Sequence, residues 1–156
     1  MKILFLMRHG HSPSTAEAGV ASDALRPLSD RGREEVRRVA HEIVARGGRP
    51  AIVLHSPLTR AAQTAATLAA ALSPALGAEV FAALDNTRPP EEVLARLEAK
   101  AAGIDEVLAI GHQPQVGEIA SLLTKSVFSF RPGGIIALET GKSPRVLWTL
   151  NAEDAA

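Results

Sequence analysis

The sequence predicts an α/β fold, a three-layer α/β/α sandwich around a mainly parallel sheet. Short apolar runs at residues 3–6, 51–54, 79–84 and 106–110 read as strands, and the segments between them carry apolar residues at helical spacing. Strands alternating with helices through right-handed crossovers build such a sandwich. Polar groups then recur where strands end: Arg8 and His9 after the first, Ser56 and Arg60 after the second, Asp85 after the third, His112 after the fourth. Open sheets of this class bind ligands outside the carboxyl ends of their strands, so these side chains are expected to share one pocket.

The first run, Ile3-Leu4-Phe5-Leu6, ends abruptly in Met7-Arg8-His9-Gly10-His11, which places a fixed cation beside an imidazole. Residues 11–26, rich in Ser, Ala and Gly with little periodicity, read as a loop over the site. Ser29 is a good N-cap, and Val36, Val39, Ala40, Ile43 and Val44 mark an amphipathic helix that Gly47-Gly48 stops. Its charged face, Arg33, Glu34, Arg37, Arg38 and Glu42, reads as solvated, with Glu34 and Arg38 one turn apart in the favourable order. His41 should also face solvent.

The second strand passes through His55-Ser56-Pro57 into a helix striped by Leu58, Ala61, Ala62, Ala65, Leu68, Ala69 and Leu72. Ser73-Pro74 and Gly77 break it, the third strand follows, and Val93, Leu94, Leu97 and Ala101 mark a helix that Gly103 ends. The fourth strand meets Gly111-His112-Gln113-Pro114 and a helix with Val116, Ile119, Ala120 and Leu123 on one face. Residues 135–139 and 146–150, joined around Gly141-Lys142-Ser143-Pro144, read as a hairpin-like or edge-strand finish, and residues 151–156 are expected to fray. No repeat or linker is visible, so residues 1–156 are read as a single domain.

A composition of 46% hydrophobic and 22% charged residues with net charge +0 argues against a nucleic-acid binder. Without cysteine there is no disulfide, thiolate metal site or thiol nucleophile. The amino-terminal apolar run is too short for export or membrane insertion, so a cytoplasmic location is the default expectation, and helix surfaces that read as solvated make a monomer the default.

Three segments carry a family resemblance. Arg8-His9-Gly10, the stretch Ser56-Pro57-Leu58-Thr59-Arg60-Ala61-Ala62-Gln63-Thr64, and Gly111-His112-Gln113-Pro114 together resemble the histidine phosphatase superfamily, with its phosphoglycerate-mutase-like fold. Shortness, with Arg26-Pro27-Leu28-Ser29 soon after the first motif, looks most like the small bacterial phosphohistidine phosphatases of the SixA type. The resemblance implies a phosphatase without cofactor or metal that passes through a phosphohistidine on His9. It implies that His112 is the pocket's second histidine, donating to a phosphate oxygen, and that Arg26 is an additional phosphate or substrate contact. Larger members use a carboxylate from the segment after the third strand as general acid. The nearest candidate is Asp85, with Glu91 and Glu92 behind it, although Asp85 could equally cap the turn before Asn86.

The residue types suit that chemistry. Phosphoryl transfer needs an in-line nucleophile and fixed cations on the equatorial oxygens. His9 can attack only as neutral imidazole, and Arg8 and Arg60 present planar forks of donors that keep their charge while favouring that neutral form. The substrate is then phosphohistidine on a protein, whose imidazole can leave already protonated, or a small phosphomonoester, which needs an acid such as Asp85. A pocket that binds phosphate without turnover is a third reading. His9-x-His11 also invites a metal, but Arg8 would repel a dication and no carboxylate cluster accompanies the pair. His11 is expected at the mouth of the site, and His55 either behind it or simply buried.

Overall fold

The computed structural model describes residues 1–156. In chain order its elements are β1 (Ile3–Arg8), α1 (Thr15–Ala18), α2 (Asp30–Ala45), β2 (Ile52–His55), α3 (Thr59–Leu72), β3 (Ala78–Val80), α4 (Pro90–Lys100), β4 (Glu106–Gly111), α5 (Gln115–Thr124), β5 (Ile135–Glu139) and β6 (Arg145–Leu150). Short 3-10 turns occupy Asp23–Leu25, Ala82–Leu84 and Ala152–Asp154.

The strands form one sheet in the order β3-β2-β4-β1-β5-β6. β3, β2, β4 and β1 pair in parallel, and β5 runs antiparallel to both of its neighbours. Strand side chains alternate between faces, so Leu4 and Leu6 join one core while Phe5 and Met7 join the other. The first core is closed by Val93 and Leu97 of α4 and Val116 and Ile119 of α5. The second is closed by Val36, Val39 and Ile43 of α2 and Ala61, Ala65 and Leu68 of α3. The result is a three-layer α/β/α sandwich, as the sequence predicts.

From β1 the chain moves over β4's position to β2 and β3, then reverses to insert β4. Right-handed crossovers make that reversal change faces, so β1 and β2 lead to helices on one side and β4 leads to α5 on the other. A crevice opens where they part, at the carboxyl ends of β2, β4 and β1.

Local chemistry explains the helices that frame this crevice. Ser29 caps α2 by accepting from the Gly32 amide, and Val36, Val39, Ala40 and Ile43 are completely buried, each large one contributing about 1.5–3 kcal/mol. Val44, expected on that stripe, lies one position past Ile43 and is 56% exposed. Gly32 sits where β1's exit loop crosses the helix: a Cβ there would lie 2.3 Å from the His11 carbonyl oxygen. Gly10 is likewise wedged, its Cβ position 2.9 Å from Val36 Cγ2.

Three expectations need correction. The third strand stops at Val80 rather than reaching residue 84, because it pairs only with β2 over three positions and the chain then turns. That turn buries both Ala83 and Leu84, which an alternating strand could not do on one face. The loop over residues 11–26 holds α1, closed by a Ser14–Glu17 capping box, and the 3-10 turn at Asp23. The carboxyl terminus does not fray: Ala152 and Ala155 are buried in the second core, and Ala152 packs against Gly133. As expected, β5 and β6 finish the sheet, with β6 at its edge. No helix is long and apolar enough to cross a membrane.

Candidate active site

Sheet register assembles the site. Arg8 lies opposite Gly111 across the β1–β4 pair, so His9 and His112 each follow their strand by one residue and stand side by side. Their ring centroids are 5.1 Å apart with the rings tilted by 54°. On the other side of β4, His55 lies opposite Ile110 and the Ser56 amide donates to the Ile110 carbonyl, which brings the Ser56 hydroxyl within reach of His112. The first turn of α3 then supplies Arg60. Arg8, His9, Asp23, Arg26, Arg60, Asp85, Asn86 and His112 line one open cavity of about 310 Å³.

The two partners of His9 fix its tautomer. Nδ1 lies 2.8 Å from the Gly10 carbonyl, which can only accept, and Nε2 lies 3.3 Å from Arg60 Nε, which can only donate. The network therefore assigns the proton to Nδ1 and leaves a lone pair on Nε2. Burial, reinforced by His112, Arg60 and Arg8, pulls the His9 pKa from 6.5 down to about 3 against the opposing pull of the Gly10 carbonyl. Burial and the same two arginines lower His112 to about 4. His112 Nε2 is 2.7 Å from Ser56 Oγ, while its Nδ1, also buried, has no partner. Ser56 Oγ also accepts from the Leu58 amide, which anchors the entry to α3.

Each guanidinium is anchored differently. Arg8 donates to the Phe130 carbonyl at 2.8 Å and keeps an unpaired buried Nε. Arg60, only 7% exposed, donates through Nη1 to the Asp23 carbonyl and through Nη2 to Asp23 Oδ2. Arg26 lines the cavity but spends donors on the Pro13 and Ser12 carbonyls and on Asp23 Oδ1. Asp85 lines the same cavity, its Oδ1 accepting from the Thr87 amide and hydroxyl, so it occupies the pocket and holds the turn at once.

Some expected residues lie elsewhere. His11 does not reach the mouth: its Nδ1 pairs with Ser29 Oγ, and it lines a separate recess with Arg31, Glu35 and Arg131. The two imidazoles of His9-x-His11 thus serve different hollows. His55 is buried with Nδ1 on the Ser56 carbonyl, and His41 is exposed. Two contributors were not visible beforehand. Asp23 tethers the loop to Arg60 and Arg26, with no sequence signal beyond an acid three residues before Arg26. Thr64 accepts from the Gly10 amide at 3.1 Å and donates to the Arg60 carbonyl at 2.7 Å, tying the turn after His9 to the helix that carries Arg60. Its position one helical turn after Arg60 was the available clue.

Comparison with known proteins agrees with this geometry. The sequence model of the histidine phosphatase superfamily (branch 1) matches residues 4–88. An uncharacterized protein of Picosynechococcus sp. is 35% identical over 144 residues, covering 88% of this chain and 85% of its own. Phosphohistidine phosphatase SixA of Escherichia coli K12 is 35% identical over 121 residues, 77% of this chain and 73% of that protein. The structure of the protein histidine phosphatase SixA complexed with tungstate superposes with a TM-score of 0.88 at 28% identity over 99% of each chain.

Proposed function

The chain belongs to the histidine phosphatase superfamily (branch 1) and is a phosphatase enzyme, and we propose that it dephosphorylates phosphohistidine on a protein through a phosphohistidine formed on His9. One observation carries the reading: the His9 Nε2 lone pair opens into a cavity ringed by Arg8, Arg26 and Arg60. SixA of Escherichia coli is a phosphohistidine phosphatase, and the related structure holds tungstate, a tetrahedral oxyanion of phosphate's shape.

In the proposed cycle the incoming phosphoryl group displaces Arg60 Nε from His9 and takes the arginine forks on its oxygens. Nε2 attacks phosphorus as the P–N bond of the substrate breaks, the bonding pair returning to the leaving imidazole. The Gly10 carbonyl holds the Nδ1 proton and stabilises the cationic phosphoimidazole of His9. His112, with Ser56 on Nε2, offers Nδ1 to a phosphoryl oxygen, and the phosphoryl dianion favours its protonated form. Arg8 and Arg60 neutralise the equatorial oxygens, with Arg26 contributing from the loop. Water attacking the phosphoenzyme from the vacated side releases phosphate and regenerates His9.

The position of Asp85 in the same cavity supports a second reading, a small phosphomonoester with Asp85 as general acid. Phosphate release from a phosphohistidine protein and from a phosphomonoester, each measured with wild type and His9→Ala, separates the two. Release from phosphohistidine far faster than from the monoester, and abolished in the variant, is the expected result. Efficient release from the monoester, sensitive to Asp85→Asn, would favour the second reading.

A further inference from the structure

The mouth of the catalytic cavity has a charge pattern of its own. Below lie three guanidinium groups and two imidazoles, and beside them two carboxylates, Asp23 and Asp85. The carboxylates are held in different ways. Asp85 gives Oδ1 to Thr87, whereas Asp23 gives Oδ2 to Arg60 at 3.1 Å and Oδ1 to Arg26 at 3.0 Å. The Arg60 guanidinium that touches Asp23 also donates to His9 Nε2, so one planar group spans the nucleophile and the carboxylate. With its side chain 63% exposed, Asp23 keeps lone pairs open to a ligand at the mouth.

Resting on the phosphohistidine reading above, we propose that Asp23 selects the leaving group, favouring the cationic imidazolium form of phosphohistidine over substrates whose leaving group departs as an anion. The balance of the step requires this discrimination. If the ring nitrogen remote from phosphorus carries a proton, the ring is cationic, and return of the P–N pair to the near nitrogen releases neutral imidazole. Without that proton the same step must expel imidazolate, a far poorer leaving group. Arg8, Arg26 and Arg60 would by themselves repel a cationic ring. Asp23 and Asp85 supply the opposing charge, and Asp23 is the one joined through Arg60 to His9. Arg26 and Arg60 hold the Asp23 carboxyl below its usual range, so it stays anionic where the enzyme works.

The test compares wild type, Asp23→Asn and Asp23→Glu on a phosphohistidine peptide and on p-nitrophenyl phosphate, whose leaving group departs as an anion. Taking the ratio of kcat/KM on the two substrates cancels any loss of folded enzyme. Asp23→Asn is expected to lower the ratio of kcat/KM on phosphohistidine to that on the ester by about tenfold, the scale of one charge pair near a protein surface, beyond any loss through Arg60 that both substrates share. The alkaline limb of kcat on phosphohistidine should move to lower pH in the same variant, and Asp23→Glu should restore both. Equal losses on both substrates would reduce Asp23 to a support for Arg60 and overturn the proposal, as would no change on either. Wild-type enzyme inactive on phosphohistidine would instead overturn the parent reading.

Discussion

Lowering the pH should leave His9 uncharged long after an ordinary histidine has taken a proton. Burial is the chief cause, and the nearby His112, Arg60 and Arg8 act in the same direction. The fall from 6.5 to about 3 corresponds to about 5 kcal/mol of preference for neutral imidazole. At about pH 5 an unperturbed imidazole would be neutral in roughly 3% of molecules, whereas His9 should be neutral in roughly 99%. His9 therefore stays available for its proposed role as nucleophile, but stability suffers. The unfolded chain takes up this proton near 6.5 and the native state only near 3, so the contribution is complete above 6.5 and is lost as pH falls through that interval. Ring 15N shifts of His9 followed through a pH titration, together with urea unfolding at several pH values, measure both effects. A His9 midpoint near 6.5, or a proton resting on Nε2 in the free enzyme, would refute the reasoning.

Other consequences follow from single contacts. Arg60→Lys loses the Nε bond to His9 and the paired donation to Asp23, and kcat/KM should fall by roughly a hundredfold or more in steady-state assays. Ser56→Ala strands His112 Nε2 and the Leu58 amide in a buried setting, and urea melts should show a loss of about 1–3 kcal/mol. Gly32→Ala drives a methyl into the His11 backbone and should cost about 3 kcal/mol by the same measurement, with activity falling as the β1 exit loop shifts. Removing residues 152–156 uncovers the second core behind Gly133 and should lower the thermal midpoint in calorimetry.

The central strands and long helices were legible because continuous apolar runs and helical spacing report burial directly, and β1, β2 and β4 carry the site. His9, Arg8, Arg60 and His112 could be grouped because strand ends on one sheet edge must converge. What escaped the sequence depended on partners distant in the chain. Residues 79–84 have the composition of a strand, yet only β2 was available to pair with them, and for only three positions. Ala152 and Ala155 look like tail residues until the hollow behind Gly133 exists to receive them. His11 follows Gly10, but the α2 cap at Ser29 draws its ring away from the site. Asp23 becomes informative only once the loop folds back onto Arg60, 37 residues along the chain.

The most direct measurement is rapid quench of the enzyme with a phosphohistidine protein, followed by mapping of any phosphoryl group retained on the chain. One acid-labile phosphoryl on Nε2 of His9, formed in a burst and absent in His9→Ala, is the predicted result. A phosphoryl on Nδ1 or on another residue, or steady turnover that persists in His9→Ala, would contradict the account.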